Sequence, residues 1–206
     1  MDGSRLNSDS DAPDDIAGAR VRLIVVPVEV LGLVAEAKFV AKATGGRAQP
    51  VDLEWPGVGM IPGEVVASMP AEMRLEQLAE DPTLRAWLLR GVVVADDASP
   101  TGSRIVGAVG GHGAPDENGA AEIGYTVASA ERRNGFATEA GRAWFGWATA
   151  NGAGLARLSI AADNGASLAV ARKLGLVEVG SAWDERDQRW ELVHEGPLPL
   201  ADSTPS

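Results

Sequence analysis

The six residues at positions 132–137, RRNGFA, constrain the fold of this chain more than any other segment. They follow an apolar, strand-like stretch over 120–127 and lead into the clearest helical pattern, predicted over 131–151. A strand that passes through a glycine-containing turn into a helix directs unpaired backbone N–H groups and the positive end of the helix dipole at one point. Phosphate groups bind at such points, and Gly135 and Ala137 are small enough to let them approach. If the turn is considered alone, the alternative to a phosphate site is an ordinary loop with two solvated arginines.

The remaining apolar patterns alternate between strand and helix. β-Branched or alternating apolar segments predict strands, and apolar residues spaced by three or four predict helices. The predicted strands span 20–27, 91–95, 104–110, 120–127, 157–161, 177–183 and 189–194, and the predicted helices span 28–43, 73–89, 131–151 and 165–174, with a fresh helical turn at Pro82. The stretch 45–70 contains four prolines and is predicted to be a long loop. Loops of this length inside a compact domain usually have a function or are mobile.

Composition excludes several classes of function. The chain has 29 acidic and 18 basic residues and a formal charge of −11, which disfavours binding to nucleic acids or acidic membranes. It contains no cysteine and only two histidines, so no disulfide, thiolate nucleophile or metal site is expected. The first residues are acidic where a secretion signal needs a basic start, and the most apolar early stretch, 21–34, is too short and interrupted to span a bilayer. A cytoplasmic location is therefore expected.

One domain is predicted between two flexible ends. A length of 206 residues corresponds to about one domain. Positions 1–19 are rich in Asp, Ser and Gly and poor in large apolar residues, so this acidic segment is expected to be disordered. The domain is expected over 20–195, followed by a flexible tail over 196–206.

The surroundings of the turn carry a family resemblance. The pattern Arg-x-x-Gly-x-Ala follows the strand residues EIGYTV at 122–127 and precedes a strand that ends near Asn164 and a short helix up to LGL at 174–176. This order closely resembles the GCN5-related N-acetyltransferase (GNAT) superfamily over roughly 104–193. The run AEIGY at 121–125 and the pair Asn164 and Ser167 are most similar to the branch of ribosomal-protein N-terminal acetyltransferases.

The resemblance implies an α/β (α+β) fold with a central, mostly antiparallel mixed sheet of about seven strands and about four flanking helices. The sheet is expected to splay between its fourth and fifth strands, where acetyl-coenzyme A (acetyl-CoA) would insert as co-substrate. In this family the turn binds the pyrophosphate, and Val127 would supply backbone contacts. The resemblance assigns cofactor binding to Tyr125, Val127, Arg132, Arg133, Asn134, Gly135, Phe136, Ala137, Thr138, Asn164 and Ser167.

Two positions depart from the family pattern. Many members place a tyrosine four residues before the glycine of the last motif, where it protonates the leaving thiolate, but that position is Ala171 and the only tyrosine of the chain is Tyr125. Ser167 is therefore the candidate acid, and its structural alternative is a helix cap, a role also open to Asn164. Asn134 stands where members often carry a basic residue, so one phosphate contact would be missing.

Acetyl transfer to an amine needs a neutral amine, stabilisation of an oxyanion and a proton for the departing thiolate. Glu122 is the candidate base, directly or through a water, and its alternative is a solvated acid on a strand face. Backbone N–H groups near 125–127 are the candidates for stabilising the oxyanion. Glu122 and Ser167 are thus the predicted catalytic residues.

The expected acceptor is a primary amine on a small molecule or at a peptide N-terminus. The negative charge of the chain and the acidic pair at 184–185 favour a cationic acceptor slightly. His112 is interpreted as a hairpin residue rather than a substrate contact, and Trp55, Trp183 and Trp190 as core residues rather than walls of an acceptor pocket. The alternatives are a non-catalytic acyl-CoA-binding sensor and an acyltransferase that uses another acyl-CoA donor. Relatives commonly dimerise, so a homodimer is one expected state.

Overall fold

The computed structural model describes residues 15–43 and 51–201, which form ten strands and five α-helices. The strands are β1 (Ile16–Ala17), β2 (Val21–Val25), β3 (Leu53–Trp55), β4 (Gly59–Ile61), β5 (Leu89–Ala95), β6 (Ser103–Gly111), β7 (Ala120–Val127), β8 (Leu155–Ala161), β9 (Val177–Asp184) and β10 (Arg189–Pro197). The helices are α1 (Val28–Ala43), α2 (Gly63–Ser68), α3 (Ala71–Glu80), α4 (Phe136–Ala150) and α5 (Gly165–Leu174). Short 3₁₀ turns lie at Pro82–Ala86 and Ser129–Glu131.

Eight strands form one mixed sheet in the order β1-β2-β5-β6-β7-β8-β10-β9, and β3 and β4 form a separate pair. Every neighbouring pair in the large sheet is antiparallel except β7 and β8, which run parallel. The prediction of a mostly antiparallel mixed sheet is confirmed, and β1 adds a strand that was not predicted. Strands β7 and β8 are the fourth and fifth of the predicted strands.

Strands β7 and β8 pair over three residues each and then separate. Ala120 lies opposite Leu155 and Glu122 lies opposite Arg157, where their pairing stops. On its other side β7 stays paired with β6 as far as Val127. The later halves of β7 and β8 therefore enclose an opening inside the sheet, at the position that the resemblance implies.

Helices cover both faces of the sheet. On one face α4 and α5 pack over a core that contains Trp144 and Phe145, and on the other α1 and α2 pack over a core that contains Leu31 and Val65. Because both faces are covered, β5 is buried at nearly every position rather than at alternate ones. Within the described ranges, no helix is long and apolar enough to cross a membrane.

The stretch predicted as a loop over 45–70 is folded where the structure describes it. Positions 45–50 lie outside the described residues, and 51–70 contain β3, β4 and α2. Trp55, Ile61 and Val65 are buried in the second core, and this burial offsets the entropy cost of ordering the segment. The prolines do not interrupt the elements, because Pro62 and Pro70 directly precede α2 and α3.

Two predicted helices have different bounds in the structure. The helix predicted over 131–151 begins only at Phe136, because Gly135 has a φ of +83°, which an α-helix excludes. The helix predicted over 73–89 ends at Glu80, and Pro82 starts a 3₁₀ turn in which the Asp81 side chain accepts the N–H of Thr83. The residues from 89 onwards belong to β5.

The folded region extends beyond the predicted bounds at both ends. Ile16 and Ala17, which fall in the segment predicted to be disordered, pair with β2. At the other end β10 continues to Pro197, and Leu198 and Leu200 pack against the core beneath α4, so this part of the predicted tail is ordered. Positions 1–14 and 202–206 of the two predicted flexible segments lie outside the described residues.

Candidate active site

The turn between β7 and α4 has a backbone shape that few residues tolerate. Arg133 has a φ of +64° and Gly135 a φ of +83°, and α4 begins directly afterwards. Glycine adopts this left-handed conformation freely, whereas a residue with a side chain loses about 1–2 kcal/mol. The turn therefore directs the first N–H groups of α4, which have no partner within the helix, towards one space.

Arg20 braces this turn. Its Nε donates to Glu139 Oε2 at 2.9 Å, and its Nη2 donates to the carbonyl oxygen of Asn134 at 3.0 Å. Because Glu139 lies in the first turn of α4, its pairing with Arg20 reduces the repulsion that an anion would meet there. No local pattern in the sequence indicates this role of Arg20, since its partner Glu139 is 119 residues away along the chain.

The backbone of β7 presents N–H groups to the opening in the sheet. The carbonyl oxygen of Glu122 accepts a hydrogen bond from the N–H of His112 at 2.9 Å, on the β6 side. Because hydrogen-bond direction alternates along a strand, Tyr125 and Val127 direct their N–H and C=O groups to the β8 side. The Val127 carbonyl accepts from Arg132 Nε at 3.2 Å. The N–H groups of Tyr125 and Val127 are therefore placed to meet a molecule in the opening.

A cavity of about 600 Å³ occupies the opening, and we call it the donor cavity. The residues that the resemblance assigned to cofactor binding all line it except Asn134. The Asn134 side chain instead donates to the carbonyl oxygen of Glu131 at 3.2 Å. The structure thus brings ten of these residues together around one space, and Asn134 is not part of the cavity lining.

The lining of the donor cavity fits an anionic ligand such as acetyl-CoA. Arg132, Arg133 and Lys173 contribute positive charge. The only acid among the described residues that line the cavity, Glu131, is paired with Arg104. Arginines and helix-start N–H groups are the donors that bind phosphate oxygens in proteins. The two observations together favour a ligand with several phosphates.

Two side-chain hydroxyls meet at the wall of the donor cavity. Tyr125 Oη is buried and has no hydrogen-bond partner within the described part of the chain, although Ser167 lies close enough to lower its pKa. Burial has the larger effect and raises the pKa of Tyr125, so its hydroxyl keeps its proton at neutral pH. Ser167 lies in the first turn of α5, where its N–H donates to Asn164 Oδ1 at 3.1 Å. Asn164 therefore caps α5 as well as lining the cavity.

A second cavity, of about 500 Å³, lies against the first, and we call it the acceptor cavity. Its lining comes from α3, β6, β7 and the β9–β10 hairpin, and includes Arg74, His112 and Arg186. Tyr125 and Thr126 line both cavities. A thioester in the donor cavity and an amine in the acceptor cavity would therefore meet at this part of β7.

His112 separates the predicted base from the acceptor cavity. Its Nδ1 lies 3.7 Å from Glu122 Oε1, which is an electrostatic contact rather than a hydrogen bond. Its Nε2 faces β7, where a Cβ added to Gly124 would lie 3.6 Å away. His112 lines the acceptor cavity, whereas Glu122 lines neither cavity. The Gly-Gly-His-Gly run at 110–113 favours a hairpin residue, because it carries no pattern that shows the contact of His112 with β7.

The surroundings of His112 keep its imidazole neutral. Its side chain is 56 % exposed, yet the protein atoms packed around it lower its pKa. Glu122 and Glu191 raise this pKa, whereas Arg74 and Arg186 lower it. The net direction is downward from the ordinary value, so at pH 7 the imidazole can accept a proton.

The tryptophans divide between the core and an exposed edge. Trp55 is buried, and its ring fills the space where a Cβ on Gly91 would lie 2.6 Å from it, which confirms the prediction of a core residue. Trp183 and Trp190 are 41 % and 63 % exposed and contact each other edge-to-face at 5.8 Å between ring centroids. The core prediction is wrong for this pair, because β9 is the edge strand of the sheet and is exposed along nearly its whole length.

Residues 60–177, more than half of the 206-residue chain, match the family model described as "Acetyltransferase (GNAT) domain". The chain belongs to the GNAT acetyltransferase family. This confirms the family resemblance stated from the turn and its flanking strand. A search of curated proteins found no match to the chain.

Several solved structures share this fold. The ribosomal-protein-S5-alanine acetyltransferase from Vibrio fischeri aligns with a TM-score of 0.57 and 16 % identity, over 93 % of this chain and 99 % of its own. Mycobacterium smegmatis RimJ, in complex with CoA-disulfide, gives 0.53 and 21 %, over 92 % and 91 %. The microcin C7 self immunity acetyltransferase MccE, in complex with acetyl-CoA and AMP, gives 0.57 and 14 %, over 87 % and 93 %. At these identities the likeness shows the fold.

Position 171, where many GNAT members carry a tyrosine, is an alanine here, and the hydroxyl of Tyr125 lies near the same helix. Ala171 in α5 is completely buried in the core. The hydroxyl of Tyr125 approaches Ser167, on the first turn of the same helix, from β7. The only tyrosine of this GNAT chain thus places a buried hydroxyl beside the helix on which many family members carry theirs.

Proposed function

We propose that this protein is an acetyl-CoA-dependent N-acetyltransferase that transfers the acetyl group directly to a primary amine of a small molecule or a peptide N-terminus. The observation that carries the proposal is the meeting of the two cavities at Tyr125 and Thr126. Direct attack requires both reactants to be bound side by side, and two cavities that share a wall of β7 meet that requirement.

Acetyl-CoA would supply the activated thioester carbon in the donor cavity. Arg132, Arg133 and the first N–H groups of α4 would bind its phosphates. The N–H groups of Tyr125 and Val127 would hold the pantetheine arm and stabilise negative charge on the carbonyl oxygen during attack.

His112 would take the proton that the amine loses. It is neutral and lines the acceptor cavity, whereas Glu122 lies behind it. The Glu122 carboxylate, 3.7 Å from Nδ1, favours the tautomer that carries its proton on Nδ1 and leaves Nε2 to accept. Glu122 would then act as a positioning residue rather than as the base itself.

The leaving thiolate would receive its proton from the hydroxyl pair at the wall of the donor cavity. Tyr125 retains its proton and has a buried hydroxyl without a hydrogen-bond partner among the described residues. Ser167 lies beside it and could replace the proton that Tyr125 donates.

Thiol release from acetyl-CoA in the presence of a panel of amines tests this proposal. His112→Gln is expected to lower kcat by about 100-fold or more while acetyl-CoA affinity is unchanged, because only the proton acceptor is lost. Glu122→Gln is expected to lower kcat by a smaller factor. Glu117→Gln, on an exposed residue of the β6–β7 loop, is the matched control and should change neither quantity.

Other outcomes would favour the alternatives. A larger loss of kcat for Glu122→Gln than for His112→Gln would make Glu122 the base, acting through a water. A parent protein that binds acetyl-CoA but releases no thiol with any amine would be an acyl-CoA sensor. Comparison of acetyl-, propionyl- and succinyl-CoA in the same assay tests the donor, and a clear preference for a bulkier acyl group would contradict acetyl transfer.

A further inference from the structure

One buried cation in the acceptor cavity has no role in the proposed acetyl transfer. Arg74, on α3, is only 5 % exposed and lines the cavity. Its Nη1 donates to Gln77 Oε1 at 2.7 Å, but its Nε is buried without a hydrogen-bond partner among the described residues. A guanidinium presents its donors as a planar fork, so an unpaired Nε leaves one edge of the fork unsatisfied.

The protein offers no compensating charge to Arg74. Within the described residues no carboxylate lies within ion-pair distance of it, and the charged group that acts on it is another cation, Arg186. Burial and Arg186 together lower the pKa of Arg74 to about 10, so it is still charged at pH 7. A buried charge without a partner is costly, and a ligand that supplied a carboxylate to Arg74 would reduce this cost.

The nearby carboxylates are engaged elsewhere. Asp187 and Glu191 pair with Arg189 at 3.1 and 3.0 Å. Asp184, which lines the cavity, accepts the backbone N–H groups of the β9–β10 hairpin at 186 and 187. None of these acids contacts Arg74.

Groups that suit an amine and groups that suit an anion line the same cavity. His112, which has the Glu122 carboxylate behind it, can accept the proton of an amine. Arg74 and Arg186 suit an anion. Gln77 accepts from Arg74 and donates to the carbonyl oxygen of His112, so the two kinds of group lie close together. A molecule that carries an amine and a carboxylate a short distance apart matches both.

We infer that the acceptor of this enzyme is an amine that also carries a carboxylate, and that Arg74 binds this carboxylate. The inference rests on the proposed acetyl transfer and adds the substrate class. A carboxylate accepts two parallel hydrogen bonds from one edge of a guanidinium, which is the edge that the Arg74 Nε leaves unsatisfied. A purely cationic acceptor, which the overall charge of the chain favours, would place positive charge beside Arg74. The carboxylate can belong to an amino-acid-like molecule or to an acidic residue next to a peptide N-terminus.

Matched acceptors that differ only in the carboxylate test the inference. The small-molecule pair is glutamic acid α-amide and glutamine α-amide. The peptide pair is Ser-Glu-Ala-Ala-amide and Ser-Gln-Ala-Ala-amide, and spermidine is the cationic probe. The parent is expected to acetylate the carboxylate member of at least one pair with a kcat/KM about tenfold or more above its amide partner, and the pair that responds identifies the source of the carboxylate.

Arg74→Gln should remove this preference by lowering kcat/KM for the carboxylate member alone. Arg85→Gln, on an exposed arginine of the 3₁₀ turn after α3, is the control and should preserve it. If Arg74→Gln does not fold, Arg74→Lys carries the same test, because it keeps the charge and loses the planar fork, and it should reduce the preference. Equal kcat/KM within both pairs, or a preference that survives in the Arg74 variant, would overturn the inference while leaving acetyl transfer intact.

A binding measurement separates this inference from failure of the acetyl-transfer proposal. Glutarate carries carboxylates and no amine, so its binding does not depend on catalysis. Calorimetric titration should show glutarate binding to the parent and at least fivefold weaker binding to Arg74→Gln. Equal binding to both, or no binding to the parent, would overturn the carboxylate site even if no amine were acetylated.

Discussion

Gly135→Ala is the substitution that separates coenzyme binding from backbone strain most cleanly. Gly135 has a φ of +83°, and a Cβ there would lie 3.4 Å from Arg20 Nη2. A side chain in this conformation costs about 1–2 kcal/mol, and the stiffer unfolded chain offsets about 0.4–1 kcal/mol of it. The expected net loss of unfolding free energy is about 1 kcal/mol, or a Tm lower by about 2–4 °C for a chain of this size.

Gly135 lines the donor cavity, so the added methyl group is expected to displace a phosphate bound at the start of α4. Loss of one hydrogen bond to a charged group costs about 1.5–3 kcal/mol, which corresponds to at least about a tenfold weaker Kd for acetyl-CoA. Gly152→Ala, at the opposite end of α4, is the matched control. Gly152 has a φ of +97° and no heavy atom within 4 Å of an added Cβ, so the variant is strained without touching the donor cavity.

Thermal unfolding and calorimetric titration of the three proteins measure both effects. Both variants should lose similar thermal stability, and only Gly135→Ala should bind acetyl-CoA more weakly. Equal acetyl-CoA affinity in all three proteins would refute the assignment of the turn as the phosphate site. An equal loss of acetyl-CoA affinity in both variants would show that strain in α4, rather than the position of the methyl group, controls binding.

Three further predictions concern the proton path and the core. The kcat/KM should be highest above the lowered pKa of His112 and should fall as the pH drops through it, because the protonated imidazole cannot accept a proton. The same fall of kcat/KM at low pH in His112→Gln would contradict this. Tyr125→Phe should lower kcat by about 100-fold with unchanged acetyl-CoA affinity, and an unchanged kcat would leave Ser167 as the donor. Trp144→Ala should lower the unfolding free energy, measured with urea, by about 3–5 kcal/mol, because the ring is fully buried; a loss under about 1 kcal/mol would disagree with that burial.

The sequence predicts an element best where a local signal marks at least one of its ends. Helices α1 and α5 and strand β7 have the predicted bounds, because Pro27, Gly119 and Gly175 interrupt the periodic patterns beside them. The turn after β7 was predicted from its own residues, since the left-handed conformation at Gly135 is a local property. The donor side of the site is built from such local motifs.

The acceptor side depends on contacts between distant segments. Arg74 and His112 come together through the packing of α3 beside the end of β6, and no spacing in the sequence indicates this. The loop expected over 45–70 is folded from 51 onwards because Trp55 and Ile61 reach a core formed by other elements. The overall charge of −11 favours a cationic acceptor slightly, and it gives no sign of the buried cation Arg74 in the acceptor cavity.

Acetyl transfer by the parent and by an Arg132→Ala, Gly135→Asp double variant tests the central claim most directly. The assay measures thiol release from acetyl-CoA with and without amines, and mass spectrometry identifies the acetylated acceptor. The parent should release thiol in an amine-dependent manner and in equal amount to the acetylated product, and the folded double variant should do neither. A folded parent that binds acetyl-CoA but acetylates no amine, or a double variant as active as the parent, would contradict an N-acetyltransferase whose donor is held at this turn.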